Sequence, residues 1–280
     1  TVVLLTKGIT QGDFWFSDDA RHAMDGVFVL DFFKDLPVFN SYDYICQYYT
    51  KYPALGIGVY PPFFSLVEAI FYGLFGISAF SAKLTVLFFA LIAVIFWFRL
   101  IRLIFDEKVA FYSALLFTTT PLIVEWSRAV MLETPTLALV IMSVYFFYNF
   151  IELRKPRHGY YLIFATVAAI YTKQTAIFLI PIFFFYMILS KKYKMFLSLN
   201  VIMISFAIFI LVLPLALVTF KYGSTNISQT VFENPQNEPL LEILFSHWSF
   251  YPINLFIENQ PVLILGIVTI FLLFVKKKRN

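Results

Sequence analysis

Beyond Pro62 the sequence is dominated by apolar runs long enough to cross a lipid bilayer, and few folds can accommodate them. A span needs about 20 apolar residues to cross a ~30 Å hydrocarbon core, and the runs over 79–98, 130–151 and 195–220 reach that length. They are continuous, whereas a barrel strand alternates in and out over ~10-residue segments, so helices are expected rather than a β-barrel. Composition agrees: 60% of residues are hydrophobic, 14% are charged, and Phe alone occurs 36 times. Ordinary globular chains hold about 45–50% apolar and 25% charged residues. The expected fold class is all-α, a polytopic helical membrane protein. The single cysteine, Cys46, excludes an intrachain disulfide.

The runs are punctuated in a regular way. Thr1–Thr6 reads as the tail of a first span, because no positively charged region or cleavage site marks a signal peptide. Lys7–Pro62 is a polar-aromatic segment, several times longer than the ~12–15 residues beyond which loops are uncommon unless functional. Within it, apolar Ala20, Met24, Val27, Phe28 and Leu30 predict an amphipathic helix between Asp19 and Phe33 at the membrane surface. Phe63–Ile77 is apolar but short and contains Glu68, Gly73 and Gly76; it reads as a helix in the interface or dipping into one leaflet. Ala79–Phe98 is a full span, followed by a charged turn of Arg99, Arg102, Asp106, Glu107 and Lys108. Val109–Ile123 and Val130–Ile151 form a hairpin with Glu125–Arg128 at its tip, and Arg154, Lys155, Arg157 and His158 make the next basic turn. Tyr160–Leu189 carries Lys173 near its middle and closes on Lys191, Lys192 and Lys194. Met195–Phe220 is a long span, 221–260 a polar loop, and Pro261–Val275 a last span ending in the basic tail Lys276–Arg279.

The basic clusters orient these spans. The positive-inside rule puts the turns near 99–108, 154–158, 191–194 and 276–279 in the cytoplasm. Each interval between them must then hold an even number of crossings, which requires 160–189 to be two short helices meeting near Thr172-Lys173. One crossing, at 79–98, separates the cytoplasm from the 7–62 segment. Asp18-Asp19, the Glu125–Glu133 turn, Lys173 and the 221–260 loop all fall on the extracytoplasmic side.

Several residues on that side can carry chemistry. Asp18 and Asp19 open the predicted helix, where Ser17 or Asp18 serves as N-cap and acids in the first turn complement the helix dipole. A second carboxylate there can also act as general base toward an acceptor hydroxyl, or hold a divalent cation. Arg21 and Asp25, four apart, can pair along one face. His22 has no second histidine at ligand spacing, so no zinc site is expected. Glu133, between Leu132 and Thr134-Pro135 at the mouth of a span, reads as pointing into a cavity, whereas Glu125 reads as a solvated loop residue. Lys173 is either a functional charge in an apolar stretch or a lysine snorkelling from a short helix end. The Tyr and Trp residues of 14–60 are an interfacial belt or a sugar-stacking surface. Pro61 and Pro62 after Tyr60 set a rigid turn.

Together these motifs resemble a family. Asp18-Asp19-Ala20-Arg21-His22 resembles the "D-[DE]-x-R-Y" stretch in the first external loop of GT-C class membrane glycosyltransferases. The closest likeness is to the group holding protein O-mannosyltransferases and the aminoarabinose transferase of lipid A. Tyr60-Pro61-Pro62-Phe63 resembles its "[KYH]-P-P-L", and Gly76-Ile77-Ser78 to Lys83-Leu84 its "G-x-S-x-x-x-x-R-L". Met131-Leu132-Glu133-Thr134-Pro135 resembles "M-L-D-T-P", and Tyr171-Thr172-Lys173-Gln174 its "L-T-K". The likeness covers most of Asp13 to Pro181, with the motifs in the same order.

The resemblance implies a GT-C-type transmembrane core whose long first extracytoplasmic loop carries amphipathic interfacial helices. It implies transfer of a sugar from a polyprenyl-phosphate donor, undecaprenyl or dolichyl, to a lipid, glycan or protein acceptor, on the extracytoplasmic side of the cytoplasmic or plasma membrane. Asp18 or Asp19 would be the base or acceptor-positioning group, Glu133 the second acid, and Arg21, His22, Tyr60, Arg128 and Lys173 the substrate-binding residues. Tyr60 stands where the lipid A enzymes carry a phosphate-binding lysine, so the phosphate ligand would be Lys51, Arg128, Lys173 or Lys221. One transmembrane glycosyltransferase domain is expected over 1–280: the first external loop at 7–62, the membrane core at 63–220, an external loop at 221–260 and the last span with its tail at 261–280. Because the family is larger than this chain, truncation at the N-terminus, and at the C-terminus as well, is expected. Beyond donor and acceptor the expected partners are membrane lipids, with no nucleic acid. The alternative reading is a transporter or lipid flippase using Lys173 and Glu133 as intramembrane charges, against which the chain shows no internal repeat.

Overall fold

The computed structural model describes residues 2–222 apart from 11, 13, 15 and 57, together with residue 253. The described residues form helices and turns without strands. In chain order the helices are α1 Val2–Thr6, α2 Ser17–Asp35, α3 Ser41–Lys51, α4 Phe63–Phe75, α5 Ala79–Ile104, α6 Glu107–Thr119, α7 Pro121–Trp126, α8 Glu133–Ile151, α9 His158–Thr172, α10 Leu179–Leu189 and α11 Leu199–Tyr222. The loop, span and basic tail expected beyond Tyr222 lie outside the described residues, Ile253 aside.

Among the described residues three helices are long and apolar enough to cross a membrane: Ala79–Ile104, Glu133–Ile151 and Leu199–Lys221. Lipid supplies no hydrophobic drive between such helices, so close approach at small residues has to hold them together. The interior follows that rule, with Ala82, Ala90 and Ala93 of α5, Ala138 and Ser143 of α8, and Ala165, Ala168 and Ala169 of α9 all buried. Two of the buried hydroxyls bond within their own helices: Ser143 Oγ donates to the Leu139 carbonyl at 2.7 Å and Thr172 Oγ1 to the Ala168 carbonyl at 2.8 Å. Helix α8 packs between α5 and α9, α9 also meets α11, and α4 joins α2 to α5. Phe88, Leu91 and Ile95 of α5 and Met203, Phe206 and Phe209 of α11 remain exposed, as lipid-facing residues should. Leu5 of α1 is buried against Leu87 and Ala90 of α5, so the first residues pack on the bundle.

Several boundaries differ from expectation. Helix α5 runs on to Ile104, so Arg99 and Arg102 sit on its last turns over the rings of Phe96 and Phe98. The turn itself is short, with Asp106 Oδ1 accepting from the Val109 amide at 2.8 Å to cap α6. The run 109–123 is no single arm, because Pro121 lacks an amide and restarts the helix as α7. The 160–189 stretch does divide as expected: α9 ends at Thr172, Lys173 is extended, and a 3₁₀ turn over Gln174–Phe178 leads into α10. At the opposite end of the bundle Glu152 takes Lys192 as an ion pair and Tyr186 Oη at 2.5 Å, which joins the 152–158 and 190–194 basic turns on one side.

The polar-aromatic segment holds two helices, as the resemblance implied, where apolar periodicity alone predicted one. Helix α3 lies on α2 through an aromatic cluster of Phe28, Phe32, Tyr44, Tyr48 and Tyr52. Tyr44 and Tyr48 donate to Asp35 at 2.9 Å and Asp31 at 3.0 Å. Those tyrosines thus pack on α2 while staying partly exposed. The buried face of α2 also differs from the apolar stripe. Ala20 is exposed, while Asp19, His22, Ala23, Asp25, Gly26, Phe28 and Val29 are buried. With 13 residues, α4 is only ~20 Å long and too short to span; it serves as the platform on which that face rests.

Candidate functional site

The N-terminus of α2 builds the first half of the site. Phe16, not Ser17 or Asp18, is the N-cap residue, and Asp19 Oδ2 accepts from the Phe16 amide at 3.2 Å. Asp19 is 1% exposed. Asp18 stands outside, half-exposed, 3.4 Å from Arg21 Nη1. Arg21 also donates through Nε to the Ala54 carbonyl at 3.2 Å, drawing the loop after α3 over α2. Asp25 fastens the same loop, accepting from the Gly56 amide at 2.8 Å. No side chain fits at Gly56, since a Cβ there would lie 2.8 Å from Asp25 Oδ2 and 3.0 Å from Arg21 Cδ.

His22 is the hinge between the two halves. It is buried, its Nδ1 is 4.0 Å from Asp25 Oδ2, and its ring lies 4.8 Å from that of Tyr60. Burial holds the imidazole at about 4, against the opposing pull of Asp18 and Glu133. It is therefore neutral at pH 7.

The second half comes from the bundle. Glu133 is the first residue of α8, and Lys173 occupies the break after α9; their side chains meet at 2.8 Å, each 32% exposed. The second oxygen, Glu133 Oε2, is buried with no hydrogen-bond partner among the described residues. Gln174 Nε2 donates to the Val59 carbonyl at 3.2 Å, tying this break to the turn that holds Tyr60. His22 feels the charges of Asp18, Glu133, Arg21 and Lys173 together, which places all of them in one neighbourhood. An apolar cleft of about 300 Å³ opens beside it, lined by Phe63, Leu66, Phe164, Val167, Tyr171 and Leu211.

Of the residues read from the sequence, Asp18, Arg21, Glu133 and Lys173 lie near His22, Tyr60 packs on its ring, and Asp19 shares its buried face of α2. Arg128 does not join them. Its guanidinium is taken by the Leu4 carbonyl, 2.8 Å from Nε and in contact with Nη2, so it clamps α1 beside Lys7 and Lys83. Lys51 lies over the Tyr52 ring at the end of α3. Asp25 was visible in the sequence only as an ion-pair partner, and Gly56 was not visible at all. The contact between them spans 31 positions and leaves no local pattern.

Residues 59–217, more than half of the chain, match the family described as dolichyl-phosphate-mannose-protein mannosyltransferase. No curated protein sequence matches the chain significantly. Two solved structures share its fold. ArnT from Cupriavidus metallidurans in the apo state aligns with a TM-score of 0.60 and 16% identity over 83% of this chain. The same protein bound to undecaprenyl phosphate aligns with a TM-score of 0.61 and 17% identity over 84%. In both cases 43% of the ArnT chain is covered, so this chain spans less than half of that length.

Proposed function

Since the chain belongs to the dolichyl-phosphate-mannose-protein mannosyltransferase family, we propose that it moves a sugar from a polyprenyl-phosphate donor to an acceptor hydroxyl. The observation that carries this reading is that Asp18 and the Glu133–Lys173 pair, from distant parts of the chain, both lie close enough to act on the buried His22 of α2. The complex of ArnT with undecaprenyl phosphate supports a polyprenyl carrier.

The steps follow from the residues. Asp19 or the more accessible Asp18 takes the proton of the acceptor hydroxyl. The oxygen attacks the sugar's anomeric carbon, and the bond from that carbon to the phosphate oxygen breaks, with the phosphate keeping the electron pair. Lys173 and Arg21 are the cations that would meet the growing negative charge on that phosphate. Glu133 orients Lys173 through Oε1 and leaves Oε2 available to a donor hydroxyl or acceptor group. The carrier's tail would lie in the apolar cleft between α4, α9 and α11. The acceptor is a lipid, glycan or protein hydroxyl.

Sidedness and organisation belong to the same proposal. The acids and Lys173 sit at the ends of α2, α8 and α9 remote from the basic turns, so the positive-inside rule puts them outside the cell. The whole of 1–280 then acts as one transmembrane unit, with 7–62 as its external loop. Purified full-length protein incubated with a panel of polyprenyl-phosphate sugars should release free polyprenyl phosphate from at least one of them. Failure to consume any donor, with acceptors supplied, would sink the proposal.

A further inference from the structure

Glu68, in the middle of α4, is fully buried, yet the proposed transfer does not use it. Its neighbours define its protonation state by counting protons. Tyr72 Oη lies 3.1 Å from the Ala23 carbonyl and 3.2 Å from Glu68 Oε1. A hydroxyl has one proton to give. If it goes to the Ala23 carbonyl, which has no proton of its own, the contact with Glu68 needs a second proton. Only the Glu68 carboxyl can supply it. If it goes to Glu68, the tyrosine oxygen lies 3.1 Å from the Ala23 carbonyl oxygen with no hydrogen between them, which is repulsive. The other carboxyl oxygen, Oε2, is buried against Gly26 of α2, where a Cβ would lie 2.3 Å away.

We propose that Glu68 is a neutral positioning acid that donates to Tyr72 Oη, which in turn donates to the Ala23 carbonyl, and that this chain seats α2 on α4. Ala23 lies one helical turn beyond Asp19 and next to His22, so the chain sets the placement of the turn that carries the acid site. Gly26 is the matching half of the device, because its lack of a side chain lets the carboxyl lie flat against α2. Burial pushes the Glu68 carboxyl well above the carboxylate range, against the opposing effect of the contacts with Tyr72 and the Gly26 backbone, and nearby Asp25 adds to the push. The positioning role rests on the glycosyl-transfer reading, whereas the protonation and the seam do not.

The test separates the two. Infrared spectra of the wild-type protein at neutral pH should show the C=O stretch of a buried carboxylic acid that disappears in Glu68→Gln. A difference spectrum showing loss of carboxylate bands instead would overturn the proposal. In the transfer assay Glu68→Gln, which keeps a donor, should stay within about 3-fold of wild-type kcat, while Glu68→Leu should fall about 10- to 100-fold with donor KM little changed. Gly26→Ala should fall similarly, and Gly26→Ala/Glu68→Ala should lose little more than either change alone, because both break the same seam. A Glu68→Leu variant as active as wild type, or a double variant whose loss is the product of the two single losses, would overturn the positioning role. Should Glu68→Leu fail to fold, the infrared band and the Gln variant decide. Absence of transfer by the wild-type protein would count against the glycosyltransferase reading alone, because the infrared result stands apart from it.

Discussion

Asp19 does two jobs that the sequence presents as alternatives. One oxygen caps α2 at Phe16, and the side chain nonetheless lies on the buried face that carries His22 and Asp25. A helix cap thus fixes the rotamer of a catalytic candidate. The acid pair and its neighbours were legible because charge before an apolar block is conspicuous. Their burial was not, since hydrophobic patterning counts Asp19, His22 and Asp25 as solvent-facing. His22 gives a clean consequence. Below pH 6.5 an unfolded His22 takes up a proton that the folded one, held at about 4, refuses. Stability should rise with pH across that window, and acidification through it should cost up to about 3 kcal/mol from this residue. Thermal unfolding midpoints measured from pH 7 to pH 4 should therefore fall less steeply in His22→Gln than in wild type; parallel slopes would contradict the assignment. Lys173 and Lys51 were equal candidates for the phosphate in the sequence. The structure places Lys173 beside Glu133 and Lys51 over Tyr52. Lys173→Gln should raise the donor KM about 10-fold or more, and Lys51→Gln should leave it unchanged.

Among the elements, the long spans were read well and the polar segment less so. Apolar runs of this length can only be helices in lipid, so α5, α8 and α11 followed directly from the sequence. Their ends moved because arginine stems lie along the helix over Phe96 and Phe98, which lets α5 outrun its apolar part. Apolar periodicity missed helix α3 because its tyrosines look like an interfacial belt, although they pack against α2. The loop that follows α3 is what closes the site, and Gly56 is its narrowest point. Gly56→Ala should cost about 1–3 kcal/mol through overpacking on Asp25 and Arg21. It should lower transfer as well, by displacing the turn that holds Tyr60. Denaturation midpoints and initial rates on the same preparation check both, and an Ala variant unchanged in either respect would show that the loop yields freely.

For the molecule as a whole, the ordered motifs pointed to the family, and the match over 59–217 shows it. This chain spans less than half of ArnT. Orientation can be tested by labelling at Cys46. Cys46 is the one cysteine in the sequence and is exposed on α3. A membrane-impermeant maleimide should label it in intact cells, and labelling only after permeabilisation would reverse the topology and move the site to the cytoplasm. The central claim, that the α2 acids serve sugar transfer from a polyprenyl-phosphate donor, meets its most direct test in one side-by-side rate. Wild-type and Asp19→Asn full-length proteins, matched for membrane insertion, are given the same lipid-linked sugar and acceptor. The variant should lose about 100-fold or more in initial transfer rate; a rate close to wild type would contradict the claim.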